Sequence, residues 1–253
     1  MTELVHHLTG PTAELPGVAS LVLDSPHNRN ALSRRLVGEL YDGLAAAEAD
    51  QDVAVVLLRA EGRTFCSGAD LSEASEDGME EAAAVLVELQ RRIVTLAKPV
   101  VARVHGNVRA GGIGVVAACD VALSADDATY AFTEVRLGLT PAAISLPELP
   151  RMSDRAAALS VLTGEVFTGR EAADTGLVTR AAPEGDLDDE VARVCAALVQ
   201  GHPQGLRETK RLLGRHLAER IEAQGPELAA LSARLFGSEE ARAAMRAFLQ
   251  RRR

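Results

Sequence analysis

Residues 108–120 read VRAGGIGVVAACD. Outside Gly111, Gly112 and Gly114 the run from Ile113 to Cys119 is apolar, as in a buried helix. A glycine in a helix interior costs about 1 kcal/mol relative to alanine. A segment that keeps three uses them at the level of the backbone, for unusual dihedrals or for close approach of another group. The preceding VVARVHG (100–106) reads as a strand and NVRAG as a turn, so the glycines fall where a strand gives way to a helix.

A second junction of this kind lies upstream. DVAVVLLRA (52–60) is almost continuously apolar, as a strand covered on both faces would be. It runs into the loop EGRTFCSGAD and then a helix near 79–97, which ends before Lys98-Pro99 because proline disfavours helix in the residue before it. Strand, turn and helix thus recur at a spacing of roughly fifty residues, which predicts an α/β spiral of similar units rather than a doubly wound sheet with one switch point. Before the first unit, Val18–Leu23 is a strand, DSPHNRNALS a loop, and Ser33 caps a helix to about Ala49 with Leu36, Leu40 and Leu44 on one face. After the second, DVALSA and TYAFTE are short strands. From Asp186 the pattern is helical: Leu187–Gln200, Gln204–Glu222 and Pro226–Arg253. This divides the chain into a core, 1–185, and a helical region, 186–253, whose apolar faces call for contact with another subunit.

Of the 253 residues 47% are hydrophobic, but only five are Phe, two Tyr and none Trp, so the core is built from Ala, Val and Leu. A net charge of −9 argues against a nucleic-acid or anionic-membrane partner, since either needs a basic face. Cys66, Cys119 and Cys195 are odd in number and widely spaced, which predicts no metal site and a reducing compartment. MTELVHHLTG is neither a signal nor a transit peptide, and no apolar run reaches ~18 residues, so the expected location is the cytoplasm.

Backbone N–H groups at a helix start are unpaired and carry the positive end of the helix dipole. Two of them converging from separate turns, FCSGADL (65–71) and RAGGIG (109–114), would hold a developing oxyanion. Either turn alone also reads as packing glycines.

NRNALS (28–33), FCSGADL, AGGIGVVAACD and FTEVRLGLTPA (132–142), in that order and spacing, resemble the enoyl-CoA hydratase/isomerase family, the crotonase superfamily, over roughly Val18 to Val178. The resemblance implies a crotonase-like spiral of ββα repeats with a C-terminal helical trimerisation region, assembled as a homotrimer or a dimer of trimers. It implies acyl-CoA thioester substrates, coenzyme A being part of the substrate and no other cofactor needed. The oxyanion donors carry over to Ala69 and Gly111. Asn30, Ala31, Ser67, Asp70 and Leu71 match segments bordering coenzyme A, and Gly112 keeps the backbone close to the ligand. One catalytic acid carries over to Glu134, which read alone is a surface glutamate at a strand end. The second acid of two-glutamate hydratases falls on Gly114, which has no side chain.

With Glu134 alone, the implied reaction is hydration across the 2,3 double bond, as in the bacterial methylglutaconyl-CoA-type hydratases that GGIGVVAACD and EVRLGLTPAAIS resemble. A Δ3-Δ2 enoyl-CoA isomerase needs only one base and is the alternative, and a non-catalytic acyl-CoA-binding protein is a further one. Arg109 is unusual at its position. It reads either as a clamp on a second substrate carboxylate or as a salt bridge within or between subunits. Ser67, His105 and Asp120 supply the residue types of a hydrolase triad, but Ser67 lies in the oxyanion turn and nothing orients His105 beside it.

Overall fold

From residue 55 to residue 131 the chain lays its strands alternately into two sheets. The computed structural model describes residues 3–10, 14–70, 73 and 78–251. β1 (Val5–Leu8) and β2 (Val18–Leu23) lead into α1 (Arg34–Ala49). Then come β3 (Val55–Ala60), β4 (Thr64–Cys66) and α2 (Gly78–Thr95), followed by β5 (Val100–Val104), β6 (Asn107–Arg109) and α3 (Gly111–Ala118). β7 (Val121–Ala125) and β8 (Thr129–Ala131) begin a third turn. It continues through α4 (Ser145–Glu148), α5 (Asp154–Thr163), β9 (Phe167–Thr168), α6 (Gly169–Thr175) and β10 (Arg180–Ala182). α7 (Leu187–Val199), α8 (Pro203–Phe236) and α9 (Glu239–Arg251) complete the described chain.

The large sheet has the order β1-β2-β3-β5-β7-β10 and is parallel except for the β1/β2 pair. The small sheet has the order β4-β6-β8-β9, parallel except for β8/β9. This is the ββα spiral. The apolar runs behave as covered parallel strands should: every residue of β2 is buried, and so are Val55 to Leu58 of β3. Each such Val or Leu contributes roughly 1.5–3 kcal/mol by leaving water. α1 is capped as its sequence predicts, Ser33 Oγ accepting the Leu36 N–H at 3.2 Å.

Two expectations are corrected. The loop and turn preceding the glycine junctions each contain a three-residue strand, β4 and β6, because pairing within the small sheet, rather than local periodicity, sets them. The helical region does not break at Pro226 either. α8 runs through it to Phe236, and the stop falls at Gly237. Proline inside a helix removes one hydrogen bond and costs about 3 kcal/mol, so packing must hold the helix across it. It does so at Gly225, where a Cβ would stand 2.8 Å from Val87 Cγ1 on α2.

The core continues across the division at 185/186. Leu187, Val191 and Cys195 of α7 and Leu217 and Ile221 of α8 join the same buried cluster as β2, β3 and β5. Lys210 of α8 is buried and ties the units together: its ammonium donates to the Ile93 and Lys98 carbonyls at 2.9 Å each and pairs with Asp120 at 2.8 Å. Among the described residues, no helix is long and apolar enough to cross a membrane.

Candidate active site

β4 ends at Cys66 and β6 at Arg109, side by side in the small sheet, so the turns that leave them are neighbours. In the first turn Gly68 sits at φ +89°, where a side chain is strained. In the second, Ala110 takes φ +46° and ψ −123°, a conformation a non-glycine residue holds only under constraint, at a cost on the order of 1–3 kcal/mol. A Cβ on Gly68 would stand 2.9 Å from the Ala110 Cβ and 3.2 Å from the Gly111 nitrogen. Gly111 opens α3, so its N–H is unpaired by the helix, and neither it nor the Ala69 N–H donates to an acceptor among the described residues.

Ala69, Gly111 and Glu134 all border one cavity of about 160 Å³. Its wall is otherwise largely apolar, with Leu86, Leu137, Leu139 and Ile144, and α8 and α9 close it with Ser232, Phe236 and Met245. Glu134 opens a short 3-10 turn, Glu134–Leu137, after β8. The residue is 9% exposed and one carboxyl oxygen, Oε2, is buried without a partner. Burial pushes its pKa up to about 7, and a hydrogen bond from its own backbone N–H opposes this only partly. Of the described residues lining the cavity, Glu134 alone titrates near neutrality.

A donor pair, an apolar pocket and one carboxyl poised near neutrality coincide with a sequence match over residues 14–253 to the family model described as enoyl-CoA hydratase/isomerase. The chain belongs to the enoyl-CoA hydratase/isomerase family. A crystal structure of an enoyl-CoA hydratase from Mycobacterium avium has 45% sequence identity and a TM-score of 0.93, covering 99% of this chain and 98% of that one. The 2,3-dehydroadipyl-CoA hydratase of Escherichia coli is 31% identical over 241 residues, 93% of each chain. The hydroxycinnamoyl-CoA hydratase-lyase of Pseudomonas fluorescens is 30% identical over 204 residues, 77% of this chain and 74% of that protein.

Within this family member the remaining sequence-predicted residues are placed as follows. Ser67 lines the cavity, its hydroxyl donating to the Asn28 carbonyl at 3.4 Å. Asp70 borders a smaller cleft of about 40 Å³ that meets the cavity at Ala69 and accepts from Asn28 Nδ2 at 3.0 Å. Leu71 lies outside the described residues. Asn30 and Ala31 are buried, and Asn30 is a brace. Its Oδ1 accepts the Ser25 N–H at 2.7 Å while Nδ2 donates to the Glu61 and Thr64 carbonyls, fixing the 25–33 loop to the start of β4.

Gly112 does not face the cavity. A Cβ there would stand 2.8 Å from both the Cys66 carbonyl oxygen and Cβ, so this glycine lets α3 pack against β4. Arg109 does not line it either. Its Nη1 donates to the Val108 and Thr129 carbonyls and its Nη2 to Thr129 Oγ1, so the guanidinium is spent on the neighbouring strand rather than on a carboxylate. The triad types stay apart: His105 Nε2 meets the Gly62 carbonyl, and Asp120 holds Lys210 and the Val100 N–H. Among the described residues no group of three or more His, Cys, Asp or Glu is arranged to hold a metal ion.

The place of the second acid is filled from outside. A Cβ on Gly114 would stand 2.6 Å from Gln90 Nε2 and 3.2 Å from Ile144 Cβ. Gln90 is wholly buried, and neither atom of its amide has a partner. Sequence reasoning missed a second group: Glu148, at the end of α4, is wholly buried with both carboxyl oxygens unpartnered. Burial, and then the charge of Glu134, hold its carboxyl well above the usual carboxylate range. A lone acid inside the apolar run ISLPEL (144–149) is the signal that could have found it.

Proposed function

We propose that this enzyme is an enoyl-CoA hydratase-type lyase that adds water across the 2,3 double bond of an acyl-CoA thioester. The observation that carries the reading is the meeting of the Ala69 and Gly111 N–H groups with Glu134 around one apolar cavity. The thioester oxygen accepts from the two N–H groups, which are fixed in place and need no reorganisation as negative charge moves onto it. Glu134, as carboxylate, takes a proton from a water whose oxygen bonds to C3. It then delivers that proton to C2, which ends the enolate and returns Glu134 to its starting form. No metal or redox group takes part.

The cavity wall holds no Arg, Lys or His among the described residues, and Arg109 is engaged elsewhere. Both facts favour an apolar acyl chain over one ending in a second carboxylate, and so over a methylglutaconyl-type substrate. The Glu134 carboxyl as the cavity's single group titrating near neutrality also favours a second reading, Δ3-Δ2 isomerisation, in which it takes a proton from one carbon and returns it to another. Exposed apolar side chains on α5 and α8, among them Leu162 at 72% and Leu213 at 79%, support a homotrimer or dimer of trimers.

One assay series tests these readings, following the conjugated thioester absorbance with crotonyl-, 3-enoyl- and methylglutaconyl-CoA. Loss of the crotonyl-CoA signal, abolished in Glu134→Gln, supports hydration. A gain of signal from 3-enoyl-CoA alone replaces it with isomerisation, and stoichiometric binding without turnover of any ester leaves a binding protein.

A further inference from the structure

Two side chains near the reaction centre are wholly buried with every polar side-chain atom unpartnered, Gln90 and Glu148. Buried polar groups in native proteins almost always have partners, so each of the two calls for an explanation. Neither lines the cavity. Gln90 fills the space where Gly114 lacks a side chain, against Ile144, and Glu148 follows Ile144 by one turn of α4, the helix that continues the wall formed by Leu139 to Ile144.

The charges around Glu148 are few. α3 contributes no ionisable side chain. α8 meets the start of α4 with Ser232, whose hydroxyl accepts the Ala143 N–H, and none of its Arg or Lys side chains acts on Glu148. The Arg151 guanidinium is turned to the Ala117 and Cys119 carbonyls. Glu134 is the charged group that acts on it.

We infer that Glu148 is the second carboxyl of the reaction centre, a positioning residue that keeps the proton of a buried carboxyl pair and leaves Glu134 as its single charge. The inference rests on Glu134 being the reaction's base. Two carboxylates in one dry region do not both ionise readily, and the group without any hydrogen-bond donor is the one that stays neutral. Glu134, at the cavity edge, is then free to cycle between acid and base while Glu148 remains protonated behind it. A second acid thus enters from α4, at a place other than Gly114. Ionisation of Glu148 at high pH would set a second negative charge beside the developing enolate and slow the reaction.

Infrared titration of the full-length protein, wild type against Glu134→Gln, Glu148→Gln and Glu148→Leu, tests the pair without relying on turnover. At roughly pH 8, about one unit above the Glu134 value, the wild type retains a protonated-carboxyl band. Both Glu148 variants lose it and Glu134→Gln keeps it. In Glu134→Gln the band titrates lower by about one pH unit or more, since the charge acting on it is gone. The matching kinetic result is a kcat profile for crotonyl-CoA whose alkaline fall is present in the wild type and absent in Glu148→Gln, with the acid limb unmoved. A band that disappears with the ordinary carboxylates, a titration unchanged in Glu134→Gln, or superimposable kcat profiles overturns the inference. If the bands behave as described but no variant, wild type included, turns over an enoyl-CoA, the pair stands and the hydratase reading falls.

Discussion

The missing Cβ of Gly68 and the nitrogen of Gly111 are 3.2 Å apart, so the two turns proposed to supply the oxyanion donors are packed against each other through a glycine. Gly68→Ala must displace either Ala110 or the Gly111 nitrogen, and it also places a side chain at φ +89°. Misplacing one donor of such a pair commonly lowers kcat by roughly 10²–10³-fold. The control is Gly62→Ala, at φ +83°, whose Cβ would meet only Pro26. Both variants should melt earlier than the wild type, but only Gly68→Ala should lose turnover. Equal kcat in the two variants would remove the N–H pair from the mechanism.

Glu134 gives the pH dependence. A carboxyl raised from 4.5 to about 7 by burial favours the protonated folded state. Its stabilising contribution is complete below the unfolded carboxyl value and is lost as pH rises through about 7. Glu134→Gln does not titrate, so its stability relative to wild type should rise across that window by on the order of 3 kcal/mol, read from denaturant melts at several pH values. Activity runs the opposite way under the proposed mechanism, in which the water proton needs an ionised Glu134: kcat/KM for crotonyl-CoA should climb with a midpoint near 7. An activity midpoint in the ordinary carboxylate range would assign the base to another group.

The carboxylate absent at position 114 cannot simply be restored. A Cβ there lies 2.6 Å from the buried Gln90 amide, and overpacking of this kind typically costs about 1–3 kcal/mol. Gly114→Glu alone should lower Tm without raising the hydration rate, and combining it with Gln90→Ala should recover most of the lost Tm. A single variant that gains turnover at unchanged Tm would show that Gln90 does not block the position.

These sites differ in how far the sequence revealed them. The turns 65–71 and 109–114 were legible because their glycines mark local strand-to-helix junctions, whereas Glu134 came only through the family resemblance, since read alone it is a surface glutamate at a strand end. β4 and β6 were not, since three-residue parallel strands are set by neighbours about forty residues away rather than by periodicity. Arg109 was misleading for a related reason. Its direction follows from the pleat of β6, where Val108 turns into the core and Arg109 faces Thr129. Gln90 reaches Gly114 and Glu148 is buried only through the packing of α2 and α4 on α3, and no local pattern encodes that.

Glu148 carries the last prediction, because burial without partners is a liability for stability whatever the residue does for catalysis. A buried polar group left unsatisfied costs about 1–3 kcal/mol, and leucine of similar size has no polar atoms to satisfy. Glu148→Leu should therefore stabilise the fold, raising Tm by roughly 2–4 °C per kcal/mol gained in a chain of this size. The gain should widen with pH, since a carboxyl held protonated in the fold opposes folding more as its unfolded form ionises. Calorimetry at a pH below the carboxylate range and again near neutrality measures both effects. A variant more stable than the parent yet altered in its alkaline kcat profile is what a residue kept for chemistry predicts. A variant less stable at both pH values would mean that Glu148 has partners in the folded protein and that its carboxyl serves the packing of α4.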